Sequence, residues 1–433
     1  MGRHFKLPIG NLSGRRPETE EESAAMSDHD IVVYGASGFV GALVAQYLAE
    51  HAPAGTRLAL AGRSERKLAE VRQRLAVDWP ILVADAAETP ALQKIAGATR
   101  VVLTTVGPYA KYGKALVDAC AAAGTDYVDL TGEVLFARRS IDDNHHLART
   151  TGARIVHSCG FDSIPSDIGV HVLDQQVKAD GAGELTDTTL VVTSLRGGLS
   201  GGTIDSMRHQ LDVVKKDRTL RKVAASPYSL SPDRAAEPDL GRQDDTAILS
   251  GPAVDPRLRG ALAPFFMASY NTRVVRRSNA LRDWAYGRSF RYREAMSVGA
   301  SPLSPVLAHG TRLGLGALMA GLALPPTRFV LDRVLPKPGE GPSAKLRESG
   351  HFTMDLFATT TSGAHYTARF RAKGDPGYAA TAIMLGESAL ALAGDRDLLP
   401  PSEGGVLTPA TALGDALVTR LRAAGMEITA RKS

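Results

Sequence analysis

Cysteine is scarce: Cys120 and Cys159 are the only two in 433 residues, too far apart for a C-x-x-C pair and too few for a disulfide framework. A disulfide-stapled scaffold is excluded, and a reducing compartment is expected. The chain has no H-E-x-x-H, and its single adjacent histidine pair, His145-His146, sits in an otherwise polar helical stretch, so no metal is expected. The net charge of +5 is not gathered into a long basic run, which argues against nucleic acid as a partner. The opening "MGRHFKLPIGNLSGRRPETEEESAAM" lacks the apolar core and cleavage site of a secretory signal. No unbroken apolar run reaches the roughly 20 residues that a bilayer-spanning helix needs. A cytoplasmic protein is expected, with residues 1–27 a disordered polar tail and Met26 an alternative start.

What is present describes an ordinary globular chain, 44% hydrophobic and 22% charged, long enough for two domains around one cleft. From residue 28 to 165, short β-branched runs such as "DIVVYG", "LALAG", "RVVLTTVG" and "ARIVHSCG" alternate with helical stretches. Six strands in strict alternation with helices predict an α/β fold, a Rossmann-type doubly wound parallel sheet. Residues 166–395 read as a second, α+β domain, with a hairpin on either side of Ser362-Gly363 and a long polar, proline-bearing stretch to about Pro256. Residues 396–433 read as a C-terminal helix and tail whose packing the pattern leaves open.

Gly35, Gly38 and Gly41 form G-x-x-G-x-x-G directly after a strand and at the start of a helix, a context that makes the pattern specific for a dinucleotide. The first glycine permits the tight turn, the second lets backbone approach a pyrophosphate, and the third allows close packing of helix on strand. Ser37, Phe39 and Val40 complete the loop, and the helix start favours the anion. Where the NAD fingerprint places an acid about 20 residues on, this chain has Arg63 and Ser64. A guanidinium suits a 2'-phosphate and a carboxylate would repel it, so NADPH is the expected cofactor. Asp85, closing the third strand, fits either an adenine contact or a helix cap.

The reactive end of the cofactor should lie over the carboxyl ends of the later strands, where three loops converge. In "TTVGPYAKYG", Gly107 and Pro108 turn the chain and present Tyr109, Lys111 and Tyr112. "DLTGE" carries Asp129, Thr131 and Glu133, and "HSCGFDSIPSD" carries Cys159, Phe161, Asp162 and Ser163. Asp162 and Ser163 are candidates for substrate binding, or for capping the next helix. Ser200 to Thr203 opens a further helix and offers either a substrate contact or a loop packed under the sheet. No tyrosine is followed four positions later by lysine, so the acid pair of short-chain reductases is missing.

Taken in order, "YGASGFVG", "AGRSERKL", "TTVGPYAKYGKALVDAC", "GTDYVDLTGE" and "GFDSIPSD" resemble the saccharopine dehydrogenase-like oxidoreductases. "GDPGYAATAIMLGESAL" and "GGVLTPATALGDALVTRL" extend the resemblance over most of Asp30 to Gly425. Within that group the chain is similar to the mycobacterial-type trans-acting enoyl reductases. The resemblance implies NADPH-dependent reduction of an α,β-unsaturated thioester, with hydride to the β-carbon and a proton to the α-carbon. It implies an acyl substrate carried by a polyketide synthase that lacks its own enoyl reductase domain, in the making of phthiocerol-type cell-envelope lipids. Tyr109, Lys111 and Tyr112 are then candidates, by position, for the enolate donors or the proton source. The basic set that an amino-acid substrate would need is not identifiable. A reductase of an imine or amino acid, and a non-catalytic NADPH-binding scaffold, remain open as alternatives.

A lipidic substrate gives meaning to residues 302–335, which contain an apolar and glycine run from Leu313 to Leu324, itself too short to span a bilayer. Two readings stay open: a buried helical hairpin, or a lid or surface helix that receives an acyl chain or makes peripheral contact with the inner face of the plasma membrane.

Overall fold

The computed structural model describes residues 27–197, 200–335 and 349–433, and all but the last residue of the expected tail lies outside them. Among the described residues, the first sheet is parallel throughout, in the order β13-β6-β5-β4-β1-β2-β3. Six of its strands are those expected: β1 (His29–Tyr34), β2 (Leu58–Gly62), β3 (Ile81–Val83), β4 (Thr99–Thr104), β5 (Asp126–Val128) and β6 (Arg154–Val156). Helices cover both faces, which is why β1, β2 and β4 read as nearly unbroken apolar runs rather than alternating ones.

The seventh strand comes from the far end of the chain. β13 (Gly405–Leu407) pairs with β6, and the helix Thr381–Gly394 packs on the helix Phe39–His51 and on β1, β4 and β5. Gly386 is required there, since a Cβ on it would lie 2.7 Å from the ring of Tyr47. Beside it the Tyr47 hydroxyl donates to Glu387 Oε1 at 2.5 Å, and Arg420 holds the other carboxylate oxygen at 3.1 Å. The expected boundaries at 166 and 395 are therefore crossed: residues from the C-terminal third return to the nucleotide-binding sheet. Three residues behind Gly404 are too few to show a strand period, so composition could not reveal them.

The second sheet is mixed, in the order β14-β12-β11-β7-β10-β9-β8. Its strands are β7 (Leu185–Arg196), β8 (Leu249–Ser250), β9 (Ala261–Pro264), β10 (Arg291–Ser297), β11 (His351–Thr360), β12 (His365–Lys373) and β14 (Glu427–Lys432). β7 and β10 run parallel, while β11 and β12 form the antiparallel hairpin expected around Gly363, whose φ of +79° suits glycine. β14, expected as tail, adds an edge strand to β12. The helix Ile164–Ala179 packs on β11, β12 and β14 and is buried on nearly every side, so one apolar core runs from sheet to sheet. The polar stretch before β8 is held by arginines: buried Arg276 donates to Pro227 O, buried Arg277 to Leu230 O, and half-buried Arg138 to Ser229 O and Ser231 O. Those carbonyls would otherwise be costly to leave without donors.

The apolar segment is a helical hairpin, Ser304–Ala323 followed by Pro325–Val334, and it is not buried. Only 11% of the first helix's most apolar window is buried inside the protein, which overturns the buried-hairpin reading. The run from Leu313 is the second half of a 20-residue helix with mean hydropathy 1.2, long and apolar enough by length and composition to cross a membrane. The helix reaches this length although its unbroken apolar run does not, because His309, Thr311 and Arg312 interrupt it.

Candidate active site

The glycine loop is built as its spacing requires. Gly35 has φ +91°, and a Cβ there would meet Val106 Cγ2 at 2.6 Å; a Cβ on Gly41 would sit 2.1 Å from Gly35 O. Gly38 N–H donates back to Gly35 O at 2.9 Å, closing a turn that includes Ser37. The helix Phe39–His51 then starts with no side-chain cap and no acid in its first turn, leaving the positive end of its dipole for an anion. At the end of β2, Arg63 is exposed, and Ser64 caps the next helix by accepting from Lys67 N–H. Asp85 closes an Asx turn onto Ala87 N–H at 2.9 Å rather than capping a helix, since Glu88 holds the N-cap position. Burial pushes the Tyr34 phenol up to about 12, with Asp85 raising it further and Arg63 opposing, so both charges sit beside the same strand end. A glycine cradle that admits no Cβ at Gly35 or Gly41, with the exposed Arg63 guanidinium near the same strand end, fits a dinucleotide carrying a 2'-phosphate.

A cavity of about 680 Å³ opens from this loop, with Gly38, Phe39 and Val40 on its rim. Thr105, Gly107 and Pro108 form its next wall. The three expected proton or hydrogen-bond donors do not converge on it. Tyr109 contributes its ring, but its hydroxyl donates to Thr104 O at 3.2 Å and accepts from Leu130 N–H at 3.4 Å. Lys111 and Tyr112 are exposed and lie outside the lining. The loop itself is anchored by Glu133, buried, which accepts from Tyr109 N–H at 2.8 Å, Ala110 N–H at 2.9 Å and the Ser206 hydroxyl at 2.6 Å.

Asp162 does line the cavity, and no hydrogen bond or ion pair engages it among the described residues. Burial pushes its carboxyl up to about 7. Ser163 is fully buried and donates to Asn271 Oδ1 at 3.1 Å, so it supports the floor without reaching the cavity or capping the helix that follows. Cys159 is also fully buried, and burial raises its thiol well above the ordinary value, which makes it inert.

One lining residue was not singled out from the sequence. Tyr270, on the helix Ala268–Leu281, lines the cavity with its hydroxyl 2.5 Å from Ser158 Oγ, which also donates to Thr131 O at 2.8 Å. Ser158 holds an unusual φ of +68° and is kept there by Asp129, whose carboxylate accepts from Ser158 N–H, Thr131 N–H, the Tyr127 hydroxyl and His157 Nδ1. Asp129 thus shapes the loops after β5 and β6. Tyr270 lies over 100 residues further on in a helix rich in arginine, and only the pairing with Ser158 marks it out.

Beyond these groups the wall turns apolar, with Met207, Leu211, Phe266, Met267, Leu315 and Met319, and ends on the exposed helix Ser304–Ala323. Ser200 to Thr203 also lines it. Residues 198–202 read G-x-S-x-G, the spacing of a hydrolase nucleophile elbow, but Ser200 caps a helix by accepting from Thr203 N–H at 3.0 Å and has no histidine partner among the described residues. Among the described residues no group of three or more His, Cys, Asp or Glu is placed to hold a metal ion.

Fold and cradle together define an NADP-linked oxidoreductase of the two-domain Rossmann class. Residues 31–154 match the family profile described as saccharopine dehydrogenase NADP binding domain. Apo saccharopine dehydrogenase (L-Glu forming) from Saccharomyces cerevisiae shares the fold, with a TM-score of 0.51 over 94% of this chain and 100% of that one, at 12% identity. A Mycobacterium tuberculosis protein provisionally named a trans-acting enoyl reductase is 54% identical over 416 residues, covering 94% of this chain and 98% of its own. The trans-acting enoyl reductases of Mycobacterium ulcerans and Mycobacterium bovis are 48% and 49% identical, each across at least 98% of its length. The chain belongs to the trans-acting enoyl reductase family.

Proposed function

We propose that this protein uses NADPH to reduce the carbon–carbon double bond of an α,β-unsaturated acyl thioester, in trans, on chains carried by a polyketide synthase for lipid biosynthesis. The observation that carries this reading is one continuous cavity, running from the dinucleotide loop past Asp162 and Tyr270 to a long apolar wall. NADPH supplies the hydride. Asp162, held near 7 by burial, is substantially protonated at neutral pH and gives the proton to the α-carbon. Tyr270 donates to the thioester oxygen as enolate charge grows, and Ser158 then turns its own proton from Thr131 O toward the phenol oxygen. Glu133 is a positioning residue, holding the Tyr109 loop against the helix Gly201–Lys216 through Ser206. The apolar walls exclude water and accept the acyl chain.

An amino-acid substrate is disfavoured by the lining, whose only cation among the described residues is Arg312. The test is to supply the purified protein with NADPH and a panel of enoyl thioesters, free and carrier-bound, alongside imines and keto acids. Saturated thioester should form with matching NADPH consumption. Turnover of an imine or keto acid with none of any enoyl thioester would sink the proposal, and tight NADPH binding with no turnover at all would favour a scaffold.

A further inference from the structure

The helix Ser304–Ala323 is apolar on two opposite faces, and only one of them meets the protein. Its inner stripe, Ser304, Ala308, Thr311, Leu315, Leu318 and Leu322, recurs at helical spacing and is wholly or partly buried. The opposite face carries Val306 and Leu313, with Leu307 on its flank, Leu303 and Leu324 just beyond the ends, and His309 as its one polar side chain among glycine and alanine. A helix on a water-facing surface bears polar residues there. Here Val306 is 68% exposed and Leu313 73%. The second helix continues the surface with Phe329 and Val330, both exposed, and the Arg333 guanidinium lies 3.6 Å from the centroid of the Phe329 ring.

We propose that this hairpin lies flat in the surface of a lipid layer bearing anionic headgroups, and that acyl chains enter the cavity along its inner face. Two anchors keep it flat rather than spanning. Ser304 Oγ accepts from Ala261 N–H at 3.0 Å at one end, and Arg328 pairs with Asp212 at 2.9 Å beyond the other. Over residues 304–334 the sequence has three arginines and one acid, Asp332; with Arg328 paired to Asp212, Arg312 and Arg333 still leave the hairpin net positive, a balance that matches anionic lipid. The apolar stripe from Leu303 to Leu324 is about 30 Å long, with large side chains near one end, at Leu313 in the middle and at Leu324, a shape suited to a fluid leaflet that wraps it. Arg312, Leu315 and Met319 of the same helix line the cavity, so its two sides join lipid to active site. The entry route rests on the function proposed above; the lipid contact does not.

The full chain is floated with phosphatidylcholine vesicles, with and without phosphatidylglycerol, in the absence of substrate. Recovery with the anionic vesicles is expected, and Val306→Gln/Leu313→Gln/Phe329→Gln, none of which lines the cavity, should lower it at least about ten-fold. Turnover of a short, soluble enoyl thioester and the thermal melt of the variant should stay at wild-type values. Arg333→Glu should reduce the preference for anionic over neutral vesicles. Wild-type protein that stays out of both vesicle fractions overturns the proposal. So does a dimer in vesicle-free solution that the triple variant dissolves, which assigns the face to a second copy. Loss of acyl carrier domain binding in the triple variant, with vesicle binding unchanged, assigns it to that partner instead. Protein that floats but reduces no enoyl thioester refutes the proposed function and leaves the lipid contact standing.

Discussion

Replacing Asp162 with asparagine removes a transferable proton while keeping size and polarity. A carboxyl at its ordinary value of 3.8 would be protonated in about one molecule in 1,600 at pH 7, whereas one pushed up to about 7 is protonated in about half. The site therefore gains roughly 800-fold in available acid, within the span of about 10²–10⁴ attributed to general acid catalysis. Asp162→Asn should lower kcat by at least about 100-fold, followed as NADPH absorbance on a saturating enoyl thioester, with KM nearly unchanged. Wild-type kcat should be highest below pH 7 and fall as the pH rises through about 7, and the variant should lose that limb. Stability provides a second readout. Because the folded-state value is raised, the folded protein binds this proton more tightly, so the contribution is full below about 4 and lost as pH rises through about 7. At pH 8 the variant should melt higher than the wild type, by an upper bound of about 4 kcal/mol that cavity water trims, and the gap should close at pH 4. A variant that keeps wild-type kcat and the same pH limb would refute the assignment.

Tyr270→Phe should cost about 10²–10³ in kcat while leaving NADPH affinity intact, read from turnover and from cofactor fluorescence titration. Arg63→Glu should weaken NADPH binding by about 10–100-fold and leave NADH binding little changed, since the contact proposed for that side chain is with the 2'-phosphate; equal losses for both would remove Arg63 from cofactor choice. Gly41→Ala forces a methyl against Gly35 O, 2.1 Å away in the undistorted backbone, and should cost about 1–3 kcal/mol in thermal denaturation together with most NADPH affinity.

The cofactor end was readable from the residue pattern because the physics there is local. A tight turn, a close backbone approach and a strand–helix junction each demand glycine within seven residues, and the choice of dinucleotide was read from one side chain, Arg63, at the end of the next strand. The reaction centre is different in kind. Tyr109, Lys111 and Tyr112 stood in the right loop, yet Tyr109's hydroxyl is consumed by Thr104 and Leu130, and the other two point to solvent; loop position alone does not say where a side chain ends. Asp162 was visible as a residue near the site, but its protonation depends on burial by segments distant in sequence. Tyr270 was invisible because the role proposed for it rests on a contact 112 residues away, with Ser158. The hairpin misled for a related reason: an apolar helix has the same composition whether protein or something else covers its second face.

The edge strand β13 has a consequence for how the protein is made. The ribosome finishes the glycine loop and six strands of the nucleotide-binding sheet long before residues 405–407 emerge, so the nascent sheet must wait with the β6 edge uncovered. Pairing with β13 comes only when nearly the whole chain exists, and Arg154 on β6 then donates to Ala412 O and Pro400 O to seal it. A nonsense mutation near position 400 would strike the cofactor domain at the opposite end of the gene.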